Sequence, residues 1–298
     1  MGDGVYAIAG GKGGVGKTTT AINLGVVLGQ AGYDVVVVDA DLAMADVGRR
    51  LNVDHGQGLH SVLAGETTVR AAVVDGPGGL ALLPGDRDLA SFADASPERL
   101  PKVYNLLRVA YDVVLVDTAP GLQNESAITY REVDGVALVT TPEPTAVADT
   151  EKAGRLAADA GADLLGTVVT HGEGQQARLA TDELDGDLLA VVPHHSTGGP
   201  ITAETPDDAA ADAYRQVAAA LPAVTATAVV PDGDASETVA SPGGTDDAEA
   251  DGATQTGAGA SDADVEAEMQ LGAEIPRART VAGEAGGDER ENSDGSDS

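Results

Sequence analysis

Between residues 10 and 18 the sequence reads Gly10-Gly11-Lys12-Gly13-Gly14-Val15-Gly16-Lys17-Thr18, and no other stretch restricts the fold as strongly. Residues 11–18 satisfy G-x-x-x-x-G-K-[ST]. An apolar run at 5–9 precedes them and a helical pattern at about 18–31 follows, the strand–loop–helix context in which this spacing cradles phosphate. Glycines let successive backbone N–H groups curl around an anion, and the next helix aims its positive end at the same point. Gly11, Gly13, Gly14, Val15 and Gly16 would line the cradle. Lys17 is placed to reach β/γ-phosphate oxygens, the Thr18 hydroxyl to ligate magnesium, and Thr19 to face the α-phosphate. A glycine-rich turn with an accidental Gly-Lys-Thr is the alternative.

Short apolar runs at 5–9, 35–38, 80–83, 113–116, 135–140, 164–169 and 189–192 alternate with helical patterns at about 18–31, 97–110, 122–131, 145–160 and 207–220. That alternation predicts an α/β fold of the P-loop NTPase class, a mostly parallel sheet with helices on both faces. The near-continuous Val/Leu character of the runs fits strands covered on both sides. From 46 to 79 the pattern is ambiguous: Leu59, Val62 and Leu63 suggest a short helix, and 69–74 fits a helix or an edge strand.

Composition divides the 298 residues unevenly. Residues 1–221 carry all seven aromatics and nearly all the aliphatic residues, and are read as one ATPase-sized domain. Residues 222–298 hold 18 acidic and three basic side chains and only eight Leu, Ile, Val or Phe. So little apolar surface does not offset the cost of ordering a backbone, about 1–2 kcal/mol per residue, so a disordered acidic tail is expected. Around Val265 and Met269 the tail hints at one amphipathic turn, but its acidic neighbours would be repelled by anionic lipid.

The formal charge of the whole chain is −32, and only four of its 17 basic residues are lysines. An acidic, lysine-poor surface fits a high-salt cytoplasm, where the Debye length is about 3 Å at 1 M; an ordinary acidic protein is the alternative. With no cysteine, disulfides and thiolate metal sites are excluded. No apolar run approaches the ~20 residues that span a bilayer, and Met1-Gly2-Asp3-Gly4 leads directly into a strand pattern without a basic leader, so a cytoplasmic location is expected.

Two acidic signals follow at positions where a parallel sheet delivers ligands. The strand pattern 111–117 ends in Asp117, placing a carboxylate near magnesium, and a structural Asp capping the next turn is the alternative. The run 35–38 ends in Asp39-Ala40-Asp41. Both carboxylates can face the phosphates, Asp39 is a candidate metal ligand, and one of the two would orient an attacking water; turn-forming aspartates are the alternative.

With Lys12 ahead of Gly13-Gly14, the loop is a deviant Walker A motif and resembles that of the MinD/ParA group of positioning ATPases. Val38-Asp39-Ala40-Asp41, the 116–121 run Val-Asp-Thr-Ala-Pro-Gly and the 140–145 run Thr-Thr-Pro-Glu-Pro-Thr are similar to that group's motifs, and the archaeal MinD-like branch looks nearest. The resemblance extends from about Tyr6 to Leu221. It implies a slow, Mg-dependent ATPase that closes into a homodimer around ATP. Lys12 would then reach the partner's phosphates in trans, Asp41 would position the hydrolytic water, Asp117 would sense the γ-phosphate through magnesium, and Gly121 would let the following loop move.

Two departures stand out. Near the adenine, where relatives carry Asn-Arg or Thr-Arg and then Pro-Glu-Asp, this chain has Thr170-His171 and Pro193-His194-His195. Pro193 is taken as a base contact. The three histidines suggest stacking or a solvated loop rather than a metal site. The sequence also closes on an acidic stretch instead of a basic amphipathic helix, against direct membrane cycling. The expected function is an ATP-dependent switch that positions or assembles division, shape or motility machinery with a protein partner. The alternatives are a ParA-like partition ATPase, disfavoured by the absence of a basic stripe, and a nucleotide-binding scaffold with negligible turnover.

Overall fold

In the computed structural model, residues 4–86, 89–121, 123–172, 187–195, 200 and 208–224 are described. The expected acidic tail lies, from residue 225 on, outside the described residues. The strands are β1 (Gly4–Ala9), β2 (Val35–Ala40), β3 (Val74–Asp75), β4 (Ala81–Leu83), β5 (Val113–Thr118), β6 (Gly135–Thr140), β7 (Leu164–Thr170) and β8 (Leu188–Val192). The helices are α1 (Lys17–Gln30), α2 (Val47–Arg50), α3 (Leu59–Ala64), α4 (Val69–Ala72), α5 (Leu89–Asp94), α6 (Leu100–Ala110), α7 (Asn124–Glu132), α8 (Pro144–Ala160) and α9 (Ala209–Ala219).

The strands form one sheet in the order β3-β4-β2-β5-β1-β6-β7-β8. All pairings are parallel except that of β3 with β4. The period of two in the side chains sends alternate residues to opposite faces. Val35 and Val37 of β2, with Val113 and Leu115 of β5, pack with Leu24 of α1 and Tyr214 and Val217 of α9. Val36, Val38, Val114 and Val116 belong to the other core, with Leu59 and Leu63 of α3 and Tyr104 and Leu107 of α6. Continuous valine runs are therefore required: each neighbour along the strand faces a different helical layer, and both layers are dry.

The ambiguous stretch 69–74 is both things in succession. Val69–Ala72 forms one helical turn capped by Thr68, whose hydroxyl accepts from Ala71 N. Val74 and Asp75 then pair antiparallel with Leu82 and Ala81. A tight turn through Gly78 and Gly79, closed by Gly76 N donating to Leu80 O at 2.7 Å, reverses the chain between them. The C-terminal end of the described chain is fastened inside the core. Ala223 N donates to the buried Tyr6 hydroxyl at 2.8 Å.

Candidate functional site

The loop between β1 and α1 is held from three sides. A Cβ on Gly11 would lie 2.0 Å from the carbonyl carbon of Asp149 in α8, so only glycine lets the loop rest on that helix. Gly11 N donates to Thr150 Oγ1 at 3.3 Å. From β7, Thr170 Oγ1 lies 2.5 Å from Val15 O and 3.1 Å from Thr140 O. From the segment after β5, Gly121 N donates to Gly10 O at 3.3 Å. Gly16, at φ 103°, turns the chain into α1 through backbone space that side-chain-bearing residues avoid.

Beside this loop lies a cleft of about 230 Å³. Its lining includes the predicted Gly14, Gly16, Lys17, Thr18, Thr19 and Pro193, together with Thr170, His171, His195 and Tyr214. Val15 turns its side chain into the core, so backbone is what it has to offer a ligand. Gly13 has open space where a Cβ would stand. Arg50 from α2, which no motif in the sequence singles out, also lines the cleft.

Lys17 is only 7 % exposed. Burial lowers its pKa, and the nearby Asp117 and Asp41 act in the opposite sense, favouring the charged amine. Asp39 and Asp117 are register partners on β2 and β5, 1 % and 2 % exposed. Contrary to a position beyond the strand end, Asp39 lies within β2. Its Oδ2 accepts from Asp46 N at 2.8 Å and Val47 N at 2.9 Å, fastening the start of α2. Oδ1 of each aspartate is buried with no hydrogen-bond partner among the described residues. Burial pushes the Asp117 carboxyl up to about 7 against a hydrogen bond from Thr18 and the charge of Lys17. Burial, and then the field of Asp117, drive Asp39 well above the usual carboxylate range. Two buried carboxylates with an open oxygen each, next to the Thr18 hydroxyl, form an all-oxygen donor set suited to hydrated magnesium.

Asp41 follows the strand and is partly exposed. Its Oδ1 accepts from Met44 N at 3.0 Å, so its own loop holds it in place. Lys12 does not line the cleft. Its Nζ forms an ion pair with Glu143 Oε2 at 2.9 Å, and both side chains are well exposed. The His171 and His194 rings stand 5.1 Å apart at a 43° tilt. Among the described residues no group of three or more His, Cys, Asp or Glu side chains is placed to hold a metal ion, so the histidines form no metal centre there. No helix of the described residues is long and apolar enough to cross a membrane.

A family model described as an AAA domain matches residues 4–152. An uncharacterized ATP-binding protein of Methanocaldococcus jannaschii is 31 % identical over 227 residues, covering 72 % of this chain and 86 % of the relative. The septum site-determining protein MinD of Pyrococcus horikoshii, solved in complex with Mg-ADP, superposes with a TM-score of 0.67 at 34 % identity, over 72 % of this chain and 93 % of that one. The chain belongs to the MinD/ParA family of ATPases. The flagellum site-determining protein YlxH of Helicobacter pylori is 32 % identical over 147 residues, which is 48 % of this chain but only 50 % of that relative. Within this MinD/ParA ATPase, the matched region contains the phosphate loop, both aspartate-bearing strands and Glu143, whereas the cleft-lining Thr170 of β7, Val192 of β8 and Tyr214 of α9 lie beyond residue 152.

Proposed function

We propose that this chain is a slow ATP-hydrolysing switch that dimerises around its nucleotide and positions or assembles cellular machinery through a protein partner. ATP and Mg2+ are its cofactors. Lys17 holds the terminal phosphates, while Thr18, Asp117 and Asp39 hold magnesium directly or through water. The ion would neutralise charge that develops on the phosphates during transfer. Asp41, anchored by Met44 N, orients the attacking water.

The observation that carries the reading is the position of Lys12. It sits on the phosphate loop yet outside its own chain's cleft, parked on an exposed glutamate at 2.9 Å. An exposed ion pair is worth little, at most about 1 kcal/mol, so exchanging Glu143 for the phosphates of a second subunit costs almost nothing. The two site-determining relatives, one for the septum and one for the flagellum, support a positioning role.

Light-scattering mass in high KCl tests the proposal, with Asp41→Ala used to slow turnover. ATP with magnesium is expected to convert monomer to dimer, and ADP to leave it monomeric. A nucleotide-bound protein that stays monomeric in ATP refutes the switch.

A further inference from the structure

Arg50 is the last residue of α2 and the cleft's second cation beside Lys17. Its Nε donates to Asp46 Oδ2 at 2.6 Å, which fixes the orientation of the guanidinium and, among the described residues, leaves its outer edge open to a ligand. Asp46 is itself anchored, because its backbone N–H and that of Val47 both donate to the buried Oδ2 of Asp39. The other Asp46 oxygen takes Arg49 Nε at 2.5 Å, but Arg49 is 70 % exposed and is not part of the cleft lining. Two adjacent arginines thus share one carboxylate, and only one of them faces the cleft. The charge of Arg50 also reaches Asp117, where it favours the ionised form.

We propose that Arg50 is a phosphate-binding residue of this cleft, held ready by Asp46 and acting in the same chain as Lys17. The proposal rests on the reading that the cleft holds a nucleoside polyphosphate. A guanidinium presents parallel N–H groups that match two phosphate oxygens at once, whereas an ammonium acts as a point charge. In a chain with a formal charge of −32, and with Asp41 and Asp117 close to Lys17, a second side-chain cation beside magnesium favours the polyphosphate. The arrangement also ties phosphate to loop. A pull on Arg50 is transmitted through Asp46 to the segment that carries Asp41 and the 75 %-exposed Met44.

Titration calorimetry of ADP and Mg-ATP across a KCl series tests this in five proteins: native, Arg50→Gln, Arg50→Lys, Arg49→Gln and Lys17→Ala. Arg50→Gln is expected to weaken both nucleotides by roughly 10- to 100-fold, the effect of one charge-assisted contact, and to flatten the dependence on salt. Arg50→Lys should recover part of the loss. Arg49→Gln, which removes the other partner of Asp46, should bind as the native protein does. Melting temperatures without nucleotide should be alike in Arg50→Gln and Arg49→Gln, which separates a ligand contact from a structural one. Native affinity in Arg50→Gln overturns the inference, and so does an equal loss in Arg49→Gln. If the native protein and Lys17→Ala alike fail to bind nucleotide, the cleft itself is misread and the inference falls with it.

Discussion

Asp39 and Asp117 stand opposite one another on neighbouring parallel strands, and each keeps one buried carboxylate oxygen without a hydrogen-bond partner among the described residues. Two anions so placed repel each other unless a proton or a cation lies between them. With Asp117 raised to about 7, the folded protein retains a proton that an unfolded chain gives up near pH 4. Its contribution to stability is therefore complete below about pH 4 and is lost as pH rises through about 7. In chelator and without nucleotide, the melting temperature should fall between about pH 5.5 and pH 8. Asp117→Asn should reduce the fall, and so should Mg-ADP. An identical fall in Asp117→Asn would show that overall charge repulsion, not this pair, sets the trend.

The two lysines of the phosphate loop should separate cleanly. Lys17, buried in the cleft, makes contacts that strengthen with a charged ligand. Lys17→Ala should weaken ATP binding by roughly 100-fold, equivalent to about 3 kcal/mol. Lys12→Ala should leave affinity near native and remove dimer-dependent hydrolysis. Glu143→Gln, which frees Lys12, should change stability by less than about 1 kcal/mol and lower the protein concentration needed for the ATP dimer. Titration calorimetry, denaturant unfolding, sedimentation and phosphate-release assays check these outcomes.

Thr170 links β7 to the phosphate loop across 155 residues of chain. Replacing it with Val keeps the shape and removes the hydroxyl shared by Val15 O and Thr140 O. A cost of about 1–3 kcal/mol in denaturant unfolding is expected, along with weaker ADP binding, and Thr170→Ser should restore most of both. Equal stability of Thr170→Val and the native protein would show that the hydroxyl is dispensable.

The C-terminal edge of the folded unit can be found by truncation. Ending the chain after Leu221 removes the Ala223 N–H that serves the buried Tyr6 hydroxyl, whereas ending it after Val224 keeps that bond. The shorter protein should be less stable by about 1–3 kcal/mol in a direct comparison of the two truncations. Matching denaturation midpoints would count against any role for this anchor.

What could be read without coordinates follows from the range of the interactions involved. The phosphate loop and the seven longer strands were legible because their requirements are local. Glycines at fixed intervals and valines facing two dry layers leave marks within a few neighbouring residues. The two-residue strand Val74–Asp75 is too short to show alternation. Nothing near Thr150 or Thr170 in sequence signals that both hold the loop in place. That Asp39 closes an apolar run is legible, but its grip on the Asp46 and Val47 amides depends on a turn whose path no periodicity reports. Arg50 is not legible as a cleft residue because it stands beside Arg49, and only the direction of each side chain tells them apart.

The sheet order has a mechanical consequence. The phosphate loop and the two buried aspartates belong to β1, β2 and β5 at the centre, while Thr170 of β7, Val192 of β8, Pro193 just after it and Tyr214 of α9 line the cleft on one flank. A nucleotide lying along the cleft, as proposed, would tie the middle of the sheet to its border. Bound ADP should therefore slow amide hydrogen exchange in β8 and α9 more than in β2 or β5, which are buried on both faces whether or not the tie is present. The border of this fold is in effect built from two materials, one encoded by the gene and the other supplied by metabolism.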